Sequence, residues 1–147
     1  MFVYRVEFSC SFWNDCTEKW QTKSGPYVNR YLSMDTAEWL DQFCMNPDIY
    51  IDMDDNRHPA PDDDNRLMRN LEKDNIDFQA AGLYFGFQSI QRLSRWLFNA
   101  YEREYMHNVG FVCMVYEVEK LYPGARQCVF DIDKARLVKM LSLKEIY

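Results

Sequence analysis

Phe2, Tyr4, Val6 and Phe8 alternate with Val3, Arg5 and Glu7, the two-residue period of a β-strand with one fully apolar face. An irregular stretch follows to Lys23 and is closed by Ser24-Gly25-Pro26-Tyr27, where Gly-Pro dictates a turn. Asp35 offers an N-cap for a short helix through about Cys44, because Ala37, Leu40 and Phe43 step at helical spacing with Trp39 and Cys44 beside them. Between Asn46 and Arg66 the chain is rich in Asp, Asn and Pro and reads as a solvated loop, with a helical segment from Arg66 to Lys73 after it.

The second half is more sharply patterned. The spacing predicts a short strand over Leu83 to Phe87, then a helix capped by Ser89 and running to about His107. Its apolar stripe is Ile90, Leu93, Trp96, Leu97, Ala100, Tyr101 and Tyr105, with Arg92, Arg95, Asn99, Glu102 and Arg103 mostly outside. Gly110 suits the left-handed turn that ends many helices. Phe111 to Val118 is nearly apolar on both faces, as a central strand would be, and Glu117 and Glu119 appear as it emerges. Tyr122-Pro123-Gly124 makes a turn, Gln127 to Ile132 supplies another strand, and Asp133 caps a last helix through Met140. The expected fold class is α+β, one domain over residues 1–147, with a central, mostly antiparallel, split sheet flanked by helices.

Composition supports that reading. With 147 residues, 48% of them apolar and 16% aromatic, the chain can bury one core without a metal or disulfide framework. No run of about 18 apolar residues is present, and Arg5 and Glu7 interrupt the place of a signal-peptide core, so neither a membrane nor secretion is expected and the cytoplasm is. Cys10, Cys16, Cys44, Cys113 and Cys128 are odd in number and scattered without a C-x-x-C pair, which fits reduced thiols. A net charge of −6 opposes direct nucleic-acid binding. It suits a protein that sets carboxylates into the basic groove of a nucleic-acid enzyme.

Those carboxylates are concentrated in Asp52, Asp54, Asp55, Asp62, Asp63 and Asp64, the candidate partner-binding set. The alternation of Asp52, Asp54 and Asn56 invites comparison with a calcium loop, but Arg57 stands where the sharp turn needs Gly and Asp63 replaces the bidentate Glu. A solvated acidic loop is the better reading, and no metal is expected. His58, between Arg57 and Pro59, is held where an imidazole could meet a ligand. His107 is explained by the negative end of its helix. Zinc has no workable ligand spacing, and the phosphate-loop, dinucleotide-fold and nucleophile-elbow motifs are absent.

Three blocks are familiar in combination: Tyr4-Arg5-Val6-Glu7 with Gly25-Pro26-Tyr27; Phe85-Gly86-Phe87-Gln88-Ser89 opening a helix with Trp96-Leu97-Phe98; and Tyr116-Glu117-Val118 with the run from Gly124 to Phe130. They resemble a group of small bacteriophage and prophage proteins. Their order is also distantly similar to the ADP-ribosyltransferase plan. That resemblance implies NAD as cofactor, with Arg5 on the dinucleotide, Ser89 at a strand-to-helix junction, and Gln127 at the position of the catalytic Glu. With Arg5, Ser89 and Gln127, the residues Tyr4, Tyr27, His58 and Phe87 make up the candidate ligand-binding set. Gln127 is the departure, since an amide supplies no negative charge to developing positive charge. Glu117 and Glu119 have the paired-Glu spacing of that family but lie at the end of the preceding strand.

Plainer readings exist for two of these residues. Arg5 can pair with Glu7, and Ser89 can simply cap its helix. The preferred expectation is therefore a phage-encoded, non-catalytic binder without a cofactor, inhibiting a host defence protein or sequestering a nucleotide-type ligand. Trp13, Trp20, Tyr27 and Tyr31 are its candidate anchors, placed in irregular sequence. An NAD-using transferase is the alternative.

Overall fold

The first strand, β1 (Phe2–Phe8), forms where the alternation predicts it and pairs antiparallel with β5 (Phe111–Glu117), Tyr4 opposite Val115 and Val6 opposite Cys113. The computed structural model describes residues 1–9, 12–14, 19–21, 63–78, 82–97, 100–108 and 110–146. The predicted Gly25-Pro26 turn, the helix after Asp35 and the acidic segment through Asp62 lie outside the described residues, as do Tyr27, Tyr31 and His58. Gly110, at φ 107°, makes the left-handed turn into β5.

β5 is central, as its two apolar faces require. Its second neighbour is β8 (Arg136–Ser142), completing a sheet of order β1-β5-β8. Here the sequence expectation is corrected. Asp131, not Asp133, accepts from a backbone N–H, and it caps a 3-10 turn of three residues, Ile132–Lys134, after which the chain extends as β8 instead of continuing as a helix. The open edge of β5 supplies this segment with a ladder of backbone hydrogen bonds, which outweighs a weak helical pattern in a run containing Val138.

A second antiparallel sheet has the order β4-β7-β6, from β4 (Leu83–Gly86), β7 (Cys128–Asp131) and β6 (Tyr122–Pro123). The split, mostly antiparallel sheet expected from the sequence is thus two three-stranded sheets. The stretch before Lys23 is not wholly irregular: β2 (Phe12–Asn14) and β3 (Lys19–Gln21) form an antiparallel pair that sets Trp13 opposite Trp20.

Three helices are described. α1 (Asn65–Lys73) begins where Asp64 accepts from the backbone N–H groups of Arg66 and Leu67, each at 3.1 Å. The helix predicted from Ser89 to His107 is interrupted. It forms as α2 (Ile90–Trp96) and α3 (Ala100–Asn108), with the carbonyl of Leu97 accepting from the Arg103 guanidinium. The break brings Leu93, Trp96, Leu97 and Met106 into one cluster and leaves Tyr101, a member of the predicted stripe, exposed. A straight helix would have buried Tyr101 and turned Met106 away. Among the described residues no helix is long and apolar enough to cross a membrane.

The layers follow from the three buried clusters. One face of the β1-β5-β8 sheet, through Val6, Phe111 and Cys113, packs on α2, α3 and the terminal turn with Leu143 and Ile146. Its other face, through Val3 and Tyr116, packs on Cys128 and Phe130 of the second sheet. The outer face of that second sheet carries Val129 and Tyr122 against Leu67 and Leu71 of α1. β1 is therefore covered on both faces, its apolar face through Tyr4 and Val6 by the helical cluster and the other through Val3 by the second sheet. Phe2 is 52% exposed, whereas Val3, Arg5 and Glu7 are buried beneath the second sheet.

Candidate functional site

Arg5 and Glu7 are two residues apart on β1, so both side chains leave the same face, here the face covered by the second sheet. Arg5 is 4% exposed and Glu7 1%. Arg5 Nε donates to Glu7 Oε1 at 2.9 Å, and Arg5 Nη1 donates to the carbonyl of Phe85 at 2.7 Å. The Tyr84 ring lies 4.9 Å from the guanidinium carbon. From β5, the Tyr116 hydroxyl reaches both oxygens of Glu7 at 3.0 Å. The carboxylate thus meets a cation and a phenol in a space closed to water.

The electrostatic consequences follow from burial. Loss of solvent pulls the Arg5 pKa down, and the Glu7 carboxylate pulls it back up. Burial, and then the charge of Glu7, pushes the Tyr116 phenol well above its ordinary value. Nearby thiols respond in the same sense, with Cys113 and Cys128 each pushed up to about 12, chiefly by burial.

A pH dependence follows from those thiols. The folded chain keeps both protons to about pH 12, whereas the unfolded chain releases them from about pH 9. Their contribution is therefore fully present below pH 9 and is lost as pH rises from 9 toward 12. Tyr116 acts in the same direction at the upper end of that window. Urea unfolding at pH 8 and pH 10 should show the midpoint falling, and folded protein at pH 8 should resist alkylation at Cys113 and Cys128. Ready alkylation of either in the folded state would contradict this burial.

The first strand does meet the Phe85 to Ser89 junction, but as a packed seam. The backbone N–H groups of Tyr4 and Phe87 each donate to the other's carbonyl at 2.8 Å. Gly86 permits the approach. A Cβ there would overlap Val3 Cγ1 and lie 3.2 Å from the carbonyl oxygen of Tyr4. Phe87 is buried with its ring 5.3 Å from that of Trp96, while Tyr4 is half-buried against the helical cluster. Ser89 caps α2, accepting from Arg92 N at 3.2 Å. Gln127 is buried, and its carbonyl accepts from Gly124 N at 2.7 Å in the turn between β6 and β7. Tyr4 and Phe87 thus meet in a packed seam among the described residues, and the plainer readings of Arg5 and Ser89 describe what the two side chains do.

The acidic run is corrected at its end. Asp63 is exposed, but Asp64 is buried and enclosed in structure. One oxygen caps α1, and the other accepts from Ala125 N at 2.7 Å, joining the helix to the β6–β7 turn. Its side chain is committed within the chain. Asp52, Asp54, Asp55 and Asp62 lie outside the described residues.

Two further arrangements complete the chemical inventory. His107 Nδ1 lies 3.3 Å from Ser142 Oγ, but that oxygen already accepts from Lys144 N in a capping box with Glu145. The serine is an N-cap. On the outside of α1, Arg66, Arg69, Asn70 and Lys73 with Pro123 line an open groove of about 460 Å³. Asn70 is held there by donating to the Pro123 carbonyl at 2.6 Å.

Sequence reasoning named Arg5 and its pairing with Glu7, because the two residues stand at strand spacing. It missed Tyr116, which reaches Glu7 only through the β1–β5 register, and it missed the structural role of Asp64. The signal for Asp64 was present in its position just before a helical segment.

The fold and this seam define a small α+β protein of two facing antiparallel sheets. The chain belongs to the Bacteriophage T4 Y00F protein family, whose model matches residues 1–144. No curated protein and no solved structure matches the chain. A small phage protein is what the resemblance of the three blocks implied. The likeness to the ADP-ribosyltransferase plan finds no support in these comparisons.

Proposed function

We propose that this phage protein is a non-catalytic binding protein that engages and inhibits a host protein, such as a defence enzyme, in the host cytoplasm. The observation that carries the reading is the commitment of Arg5: its charge is met by Glu7, its second donor by the Phe85 carbonyl, and its guanidinium lies over the Tyr84 ring. A transferase would need that guanidinium for a dinucleotide, and Ser89 and Gln127 serve the architecture around it. Binding needs no such set. The exposed carboxylate of Asp63, with those of Asp52, Asp54, Asp55 and Asp62 in sequence before it, suits a basic groove on the target.

A second reading, sequestration of a nucleotide-type ligand, is favoured by the groove on α1. Its Arg66, Arg69 and Lys73 set three cations on one side of a helix, the chemistry that phosphates recruit.

The deciding experiment immobilises the full chain, passes host extract over it, and repeats each capture with purified components. Saturable binding of one host protein supports the inhibitor. Retention of a nucleotide alone, lost in Arg66→Ala with Arg69→Ala, supports sequestration. Transfer of label from NAD that is abolished in Arg5→Ala would sink both readings.

A further inference from the structure

Residues 134–144 contain four cations, Lys134, Arg136, Lys139 and Lys144, and no carboxylate, in a chain whose net charge is −6. Most of this run is β8. Among the described strands β8 has one neighbour, β5, so its other edge presents backbone N–H and C=O groups outward. Arg136 to Met140 are all exposed.

The exposed side chains are largely apolar. Leu137 is 51% exposed, Val138 39% and Met140 58%. Leu137 and Met140 stand opposite Tyr116 and Met114, on the face that the second sheet covers over β1 and β5. That cover stops short of β8, leaving the outer strand bare on this side.

Natural edge strands are commonly protected by a lysine or a bulge, and β8 has Lys139 and a register shift against Val115 and Tyr116. Three large apolar side chains on the same short run work against that protection. Their combination with positive charge, met only by exposed ion pairs or, at Lys139, by no carboxylate among the described residues, selects a partner. Lys134 pairs with Asp131, Arg136 with Glu117 and Lys144 with Glu104, all at exposed positions where such pairs hold weakly. Among the described residues no carboxylate meets Lys139.

A second copy fits the edge poorly. Two-fold antiparallel pairing centred on residue 139 sets Lys139 against itself, and centring on residue 138 still gathers the cations of both copies along one seam. An acidic strand meets neither objection.

We propose that the outer edge of β8 is a docking site for an extended segment of a partner protein, added as a fourth strand, with acidic side chains toward Lys139 and Arg136 and apolar ones on Leu137 and Met140. Strand addition supplies main-chain hydrogen bonds, and the alternating side chains supply selectivity. The inference rests on the binding-protein reading and names one surface that such binding uses.

The test uses the full chain and a labelled synthetic nonapeptide of alternating Glu and Val, followed by fluorescence anisotropy. Controls are the Lys–Val peptide and the Glu–Val peptide N-methylated at alternate amides. Binding of the Glu–Val peptide is expected to weaken roughly ten-fold or more with N-methylation, in Lys139→Glu and in Val138→Pro, and to weaken as salt rises. Amide-exchange protection gained at residues 136–142 would locate the added strand.

Three results would overturn the proposal. One is no binding up to about 1 mM peptide, the weakest affinity of interest. Another is equal binding of the N-methylated peptide or by both variants. The third is a concentration-dependent dimer lost in Val138→Pro, which would assign the edge to a second copy. Failure here is separable from failure of the parent reading. A host protein held equally by wild type and Lys139→Glu rejects the edge and keeps the binder, whereas retention of no host protein rejects the binder.

Discussion

Glu7→Ala should cost about 3–5 kcal/mol, because it breaks a buried ion pair with Arg5 and removes the acceptor of the Tyr116 hydroxyl. Against a total stability of roughly 5–15 kcal/mol for a domain, that loss brings the chain near unfolding at ambient temperature. Glu7→Gln should cost less, since an amide oxygen still accepts from Tyr116 while only the ion pair with Arg5 is lost. Arg5→Met combined with Glu7→Leu should recover most of the loss, as apolar replacement of a whole buried pair often does. Urea unfolding of the four proteins is the measurement. A cost below about 1 kcal/mol for Glu7→Ala, the value of an exposed pair, would show that water reaches the seam.

The second large effect is expected at Gly86. Replacing a strand glycine by alanine usually helps a sheet, but here the added methyl meets the fully buried Val3 and lies 3.3 Å from the Phe130 ring. Overpacking of this kind costs about 1–3 kcal/mol, so Gly86→Ala should destabilise. Val3→Ala opens room at the same point. The double variant should therefore be more stable than the sum of the two single losses predicts, the coupling expected of side chains in contact. Strict additivity in a double-mutant cycle would mean that the two strands do not approach as closely as Gly86 allows.

Both predictions concern the place where the transferase-like plan would put a cofactor. The Arg5–Glu7 pair was legible from their spacing, and the order of the motifs set the first strand beside the Phe85 to Ser89 junction. Whether the two enclosed a cleft was not legible. That depended on Gly86 drawing β4 onto β1, and on Tyr116 arriving from a strand more than a hundred residues away in sequence. Asp64 illustrates the converse. Its composition-rich neighbourhood read as solvent-facing, yet a helix start and the turn at Ala125 both needed its oxygens.

By itself the sequence determined the elements whose pattern is strong and local: β1 from two-residue alternation, the central β5 from apolarity on both faces, the cap at Ser89, and the turn at Gly110. Tertiary structure alone decided that β1 was covered on both faces, where the predicted long helix broke, and that residues 136–142 became a strand. The physical reason is common to all three. Each choice turns on satisfying backbone groups or apolar surface against a distant partner, and the free edge of β5 offered residues 136–142 hydrogen bonds that their local pattern did not announce.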